Sequence, residues 1–246
     1  DSHKVFLDGL NLATAALVGR GGVFVLNPPY LLFYPDRNHD DVPDGDPEVH
    51  LEGFGMEDSH SVTNSLRWGP DGWLYAAQGS TVTARVRAPG SKAEPVHTMG
   101  QLIWRYHPSQ RRYEVFAEGG GNTWCVDFDS LGRTFSGTNH GNTRGVHYPQ
   151  GGCFTKNWGK HGPLMNPYAF GFYQHMGHEG YKPRFAQSMI IYEGGALPNY
   201  EGHIIAGMAL VNRVQASRLY TDTSTFRTVD TPPMVTTDDR WFRIVD

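Results

Sequence analysis

The chain has 246 residues and a formal net charge of −4. That charge excludes the basic footprint of a phosphate-backbone binder, and no apolar run approaches the roughly 20 residues of a membrane helix. Its 30 glycines and 16 prolines point to many short strands and turns rather than helices, in one large all-β domain or two small ones. The chain starts at Asp1 with neither an initiator Met nor a signal peptide, so it reads as processed or excised.

In chain order, the first unit is LVGRGGVFVLN (17–27), a strand–turn–strand with Gly22 at the turn, followed by the strand YLLFY (30–34). Next comes DRNHDDVPDGD (36–46), with Asp36, Asn38, Asp40 and Asp44 at positions 1, 3, 5 and 9 and the Val42 carbonyl at 7. That is the oxygen pattern of a calcium loop. Asp41 stands where a glycine is usual, Pro47 stands where the closing Glu would be, and a solvated acidic loop is the competing reading. Any calcium here would be structural rather than catalytic.

HSVTNSLRWGPDGWLYAAQGS (60–80) is the clearest hairpin. GPDG places Pro and Gly at the second and fourth positions of a type I turn, between aromatic-rich strands. His60 stands before it, and Asn64 and Gln78 are polar groups at its open end. QLIWRYHP (101–108) and RRYEVFAEG (111–119) supply two further strands. NTWCVDFDSLGRTFSGTNHG (122–141) repeats the hairpin, with Val126 and Phe128 matching Leu66 and Trp68, and Gly132 matching Gly72. EGHIIAGMALVNRVQASRLY (201–220) is a divergent fourth copy. Units of roughly 50 to 70 residues, each worth about four strands, are propeller blades, whereas a β-sandwich leaves the recurring hairpin unexplained. The expected blades are 1–50, 51–119, 120–197 and an incomplete 198–246, with a loop insertion at 150–185. Only about four units are present, and DRWFRIVD stops where another would begin. The expectation is therefore a truncated six-bladed, or alternatively five-bladed, propeller.

Several residues carry candidate chemistry. His60 is placed for a general base, because imidazole titrates near neutral pH; covering a sheet end is the plainer role. NHGNTRG (139–145) gathers Asn139, His140, Asn142 and Arg144, where the arginine fork suits an oxyanion or carboxylate and the amides suit sugar hydroxyls. A turn capped by its own asparagines is the alternative. With His147, Lys160 and His161 downstream, this is the best polar pocket. In the insertion, Trp158, Tyr168, Phe170 and Tyr173 can stack on pyranose rings or pin a long loop, and His175 and His178 form a weak metal-ligand pair. Cys125 and Cys153 make no CxxC, CxxCH or zinc pattern, so they are either a disulfide or two buried thiols, and the segment holds no covalent c-type haem. GxSxG, Walker and Rossmann patterns are absent, and GGGN (119–122) reads as a turn between blades.

VFLDGLNLATAALVGRGGVFVLNPPYLLFYPDRNHDDVPDG, the 60–80 hairpin, GQLIWRYHP, GGGNTWCVDFDSLGRTFSGTNHGNTRG, GKHGPLMNPYAF and IYEGGALP together resemble the bacterial "membrane-bound dehydrogenase" domain family. That family is akin to the glucose/sorbosone dehydrogenase propellers. The resemblance implies a six-bladed propeller that binds pyrroloquinoline quinone and calcium, with a histidine before a GPDG-type hairpin as base; His60 occupies that place. The RNxQG-like quinone motif reads GNTWC, which keeps Asn122 but has Gly121 for the arginine and Trp124 for the glutamine. It also implies a periplasmic or secreted location and leaves room for a c-type haem domain elsewhere in a longer protein. The leading reading is thus a sugar- or polyol-type oxidoreductase, with His60 as base, Arg144 and His140 assisting, and hydride passing to a quinone-like acceptor. The rivals are a carbohydrate-active lyase or hydrolase on a propeller scaffold, using a transition metal held by histidines, and a non-catalytic glycan- or protein-binding propeller.

Overall fold

The computed structural model describes residues 3–140, 142–156, 164–169, 171–183 and 188–244. Trp158, Lys160, His161 and Phe170 lie outside the described residues. Four sheets follow one another along the chain. The first is an antiparallel meander of β1 (Ala15–Val18), β2 (Gly22–Asn27), β3 (Tyr30–Pro35) and β4 (Glu48–Phe54). In the second, β5 (Thr63–Trp68), β6 (Leu74–Gln78), β9 (Leu102–His107) and β10 (Arg112–Gly120) repeat the meander. A parallel strand, β14 (Cys153–Lys156), closes its outer edge. The third holds β11 (Asp127–Phe128), β12 (Thr134–Ser136) and β13 (Val146–Tyr148). The fourth is β16 (Ser188–Tyr192), β17 (His203–Met208), β18 (Arg213–Asp222) and β19 (Thr225–Asp230). It is flanked by β15 (Gly177–Glu179) on β19 and β20 (Val235–Thr236) on β18.

The first strands of successive sheets stand side by side. Thr14 Oγ1 donates to the Thr63 carbonyl at 2.7 Å, Val126 N to Ser65 Oγ at 3.1 Å, and Ile191 N to Asp127 Oδ2 at 2.8 Å. Consecutive meanders joined at their inner edges in this way are blades of a β-propeller. Residue alternation explains why the blades stack. In β6 and β9, Leu74, Ala76, Leu102, Trp104 and Tyr106 face the first sheet, while Tyr75, Ala77 and Ile103 face the third. Both faces are dry, so the strands read as nearly continuous apolar runs.

Two features depart from the sequence reading. Between β6 and β9, a hairpin of β7 (Ala84–Arg87) and β8 (Val96–Thr98) crosses over and extends the first sheet by pairing with β4. The antiparallel meander of the fourth sheet begins at Ser188, not at 198. Its counterpart of the recurring hairpin is therefore β16–β17, and the 201–220 segment is β17–β18, one strand later. The β16–β17 connection is a ten-residue loop containing a short 3-10 turn (Pro198–Tyr200). It bears no likeness to GPDG, and that hides the repeat.

Candidate functional site

The pairings Thr63↔Gln78, Gln78↔Leu102 and Leu102↔Glu118 place the start of β5, the end of β6, the start of β9 and the end of β10 at one end of the second sheet. We call this the upper end. The GPDG turn, closed by Gly72 N donating to the Gly69 carbonyl at 3.0 Å, lies at the lower end.

At the upper end, Asp58 organises the segment that leads into β5. Its Oδ1 accepts the His60 backbone N–H at 3.0 Å and faces His60 Nδ1 at 3.3 Å, while Thr81 Oγ1 donates to Oδ2 at 2.7 Å. The Thr81 hydroxyl, followed by the bonds from His60 and Ser61, holds the Asp58 carboxyl below its usual range. An ionised carboxylate only accepts, so it selects the Nδ1–H tautomer and leaves Nε2 as a lone pair directed away from it. The His60 side chain is 92% exposed. Nothing in the sequence reading singled out Asp58, although the D-x-H spacing was its signal.

Asn122 ties this segment to the next blade. Its Nδ2 donates to the His60 carbonyl at 3.2 Å, its Oδ1 accepts Ser80 N at 2.8 Å, and its own N–H donates to Asn139 Oδ1 at 2.9 Å. His140 follows Asn139 and meets His175 edge-to-face, with ring centroids 5.1 Å apart. Burial, then the neighbouring His140, pushes His175 down to about 4, and its Nε2 faces the Thr155 carbonyl. Lys156 donates to the Met99 carbonyl at 3.1 Å. His60, Asn122, Asn139 and His140 are thus brought onto one polar arc, and Asn142 is exposed on the same loop.

Beneath the arc, a cavity of about 250 Å³ lies between β1, β5 and the start of the third sheet, lined among others by Asn64, Ser65, Arg67, Trp124 and Thr14. A β-bulge between Asn64 and Arg67, with Ser65 at φ 58°, shapes it. Bulges of this kind re-aim side chains next to binding sites. Asn64 Nδ2 is used by the Val62 and Thr123 carbonyls, but its buried Oδ1 has no partner. Arg67 was missed in the sequence because a strand residue of alternating pattern gives no sign of facing an axial cavity.

Other expected site residues are placed elsewhere. Gln78 is buried, with its amide spent on the Val82 carbonyl and Thr98, and so it pins the 79–83 loop. His147 packs between blades against Phe135 and Phe226, at 5.2 and 5.0 Å, and burial lowers its pKa. Arg144 is fully buried: its Nη2 donates to Asp230 Oδ2 at 2.7 Å and to the Tyr181 carbonyl at 2.6 Å, against the fourth sheet. His178 turns to Thr228 and the Tyr181 carbonyl, away from the Thr155 partner of His175, so the two do not form a ligand pair. Cys125 and Cys153 are buried thiols that are not joined in a disulfide, and burial pushes Cys125 up to about 11.

The acidic loop lies at the lower end, where Asp36 N donates to the Gly21 carbonyl at 2.8 Å. Asp41 does take the left-handed conformation, with φ 59°. The oxygens, however, are used within the loop. Asp36 accepts the N–H groups of Asp40 and Asp41, Asp40 accepts that of Val42, and Asp44 accepts Arg37 N while pairing with its guanidinium at 3.4 Å. The Asn38 amide turns its Nδ2 toward Asp40. Asp36, Asn38, Asp40, Val42 and Asp44 therefore do not fit an oxygen cage. Among the described residues no group of three or more His, Cys, Asp or Glu could hold a metal ion, and no helix is long and apolar enough to cross a membrane.

The family described as domain of unknown function DUF7133 matches residues 1–246. No curated protein matches. Among solved structures, an oxidoreductase (glucose dehydrogenase) of Thermus thermophilus is 11% identical, with 93% of this chain and 86% of that one covered and a TM-score of 0.48. The PQQ-bound aldose sugar dehydrogenase of Streptomyces coelicolor is 14% identical at a TM-score of 0.48; 84% of this chain is covered, but only 61% of the dehydrogenase. A further glucose dehydrogenase is 13% identical, covering 97% of this chain and 90% of its own at a TM-score of 0.48.

Proposed function

The chain belongs to the DUF7133 family over its whole length, and from that premise and the geometry of the upper end we propose that it is a sugar- or polyol-oxidising propeller with His60 as proton acceptor. The observation that carries this reading is the Asp58–His60 pair: a carboxylate holds an otherwise exposed imidazole in the tautomer whose free Nε2 is basic. As an alcohol carbon becomes a carbonyl, Nε2 takes the hydroxyl proton and Asp58 balances the imidazolium charge. A quinone of the pyrroloquinoline type, when bound, supplies the acceptor for the hydride. Arg67, Trp124 and Asn64 are the residues that would hold it, because a guanidinium, an indole face and an unpartnered amide oxygen suit an acidic planar ring system with an N–H. Asn122 and Asn139 fix the segments around the base. Arg144 takes no part, since its guanidinium is sealed. The reading carries with it a periplasmic or secreted location and an electron-accepting partner such as a c-type haem domain.

The test is reconstitution with pyrroloquinoline quinone, with and without calcium, followed by aldose-dependent reduction of an artificial dye. Turnover that disappears in His60→Ala supports the reading. An absorbance titration showing no quinone binding overturns it.

A further inference from the structure

The outer rim of the second blade carries a structure that the chemistry at the upper end does not use. Tyr168, Phe172 and Tyr173 are 82%, 59% and 52% exposed. They surround a cavity of about 330 Å³ with Asn166 and Cys153. Single exposed apolar residues need no explanation, but three aromatic rings around one cavity do.

The loop that carries the rings is tied down through its backbone. Glu118 is buried, and its two carboxylate oxygens accept the backbone N–H groups of Met165 and Asn166 at 2.9 and 2.8 Å. Asn166 Oδ1 accepts Tyr168 N at 2.9 Å, Tyr173 N donates to the Cys153 carbonyl at 2.8 Å, and the Tyr173 ring lies 5.6 Å from that of Phe154. A buried carboxylate is thus committed to holding a loop whose rings face solvent. Binding surfaces fixed before the ligand arrives lose little entropy on binding. The cavity continues into a second of about 210 Å³ that shares Gly151, Cys153 and Asn166 and reaches His97.

Among the described residues, the lining of the aromatic cavity includes no Asp, Glu, Lys or Arg, and the Glu118 carboxylate at the adjoining cavity is spent on the Met165 and Asn166 N–H groups. Neutral, flat and aromatic walls with an amide among them match the apolar C–H faces and hydroxyls of pyranose rings. They offer nothing to a phosphate backbone or a charged peptide. The groove is also remote from His60. Four strand spacings separate β14 from β5, roughly 19 Å at about 4.8 Å each.

We propose that the Tyr168–Phe172–Tyr173 groove on the blade rim is a docking site for a neutral glycan chain, separate from the site at His60. The site holds a polymer by stacking and leaves the upper end free for chemistry. It stands independently of the oxidoreductase reading.

Isothermal titration with cellohexaose, maltohexaose and hexagalacturonate tests it on the whole chain. At least one neutral hexamer binds, and the doubly substituted Tyr168→Ala/Phe172→Ala chain loses at least about tenfold in affinity. His60→Ala binds as the parent does, whatever its activity, so the two sites fail separately. Tyr168→Phe retains binding because it keeps the ring face; circular dichroism confirms that each variant is folded. Three results overturn the proposal: neither neutral hexamer binds, the double variant binds unchanged, or hexagalacturonate binds more tightly than both neutral chains. Loss of binding in Tyr168→Phe overturns the stacking mode.

Discussion

Asp58–His60 and Asp230–Arg144 each pair a carboxylate with a nitrogen-bearing side chain, yet their surroundings give them opposite roles. The first pair stands in solvent, with side chains 36% and 92% exposed. The second is 11% and 0% exposed, sealed between the 139–145 loop and the outer strands of the fourth sheet. Water around His60 leaves one ring nitrogen accessible to a substrate. Around Arg144, the absence of water makes the charge dependent on Asp230, so that breaking the pair leaves an uncompensated ion. Of two residues that look equally catalytic in sequence, the exposed one is available for chemistry and the buried one holds the blades together.

This contrast breaks most sharply at His60. His60→Ala is expected to lower dye-reduction activity by about 10²- to 10⁴-fold, while the free energy of urea unfolding stays within about 0.5 kcal/mol of the parent. A large loss of stability with activity per folded molecule intact would reverse the assignment. Arg144→Met should do the opposite, costing about 3–5 kcal/mol in urea unfolding. Full stability with lost turnover would return Arg144 to the catalytic set.

A buried imidazole sharpens the same comparison. Burial, then Arg111, pushes His50 down to about 4, where it packs against Phe24 and Phe33 and its Nδ1 meets the Tyr106 hydroxyl at 3.0 Å. The unfolded chain protonates this group near its ordinary pKa of 6.5, but the folded chain only near 4. Between those values the unfolded state binds more protons, so stability is lost as pH falls from about 6.5 toward 4. The contribution of His50 is about 3 kcal/mol, read as the part of the pH dependence of the urea-unfolding free energy that disappears in His50→Asn. An unchanged slope would show that the imidazole is already charged in the folded protein.

Two smaller effects complete the series. Asn122→Ala removes the bridge between His60, Ser80 and the next blade, and should cost about 1–2 kcal/mol with a several-fold fall in activity. Unchanged activity would detach Asn122 from the positioning of the base. The acidic loop already satisfies its own carboxylates, so adding calcium after chelation should move the melting temperature by less than about 2 °C. A rise well beyond that would mean that the loop rearranges into a cage.

Much of the fold was legible because it depends on local rules. The hairpins at 17–27, 60–80 and 122–141 follow from alternation and turn glycines, and each appears where those signals put it. The fourth repeat was misregistered by one strand because its equivalent connection is long and carries no GPDG signal. The β7–β8 hairpin was not foreseen: whether it joins the sheet before it in the chain or a neighbouring one depends on which edge is free, and that is not a local property. The shared upper-end position of His60, Asn122, Asn139 and His140 was legible because polar residues just outside strand ends collect at one end of stacked blades. Gln78 and His147 follow the same pattern in sequence, yet their side chains turn inward.

The sequence by itself determined the all-β class, the strand faces and most turns, since these rest on interactions within a few residues or on a period of two. Only the tertiary structure decided which polar groups meet water. The partner that seals Arg144 is 86 residues away, and the loop that carries the rings on the blade rim is anchored by a glutamate 47 and 48 residues before the backbone it grips. Burial and pairing across such distances are set by the stacking of whole blades, which no local pattern encodes.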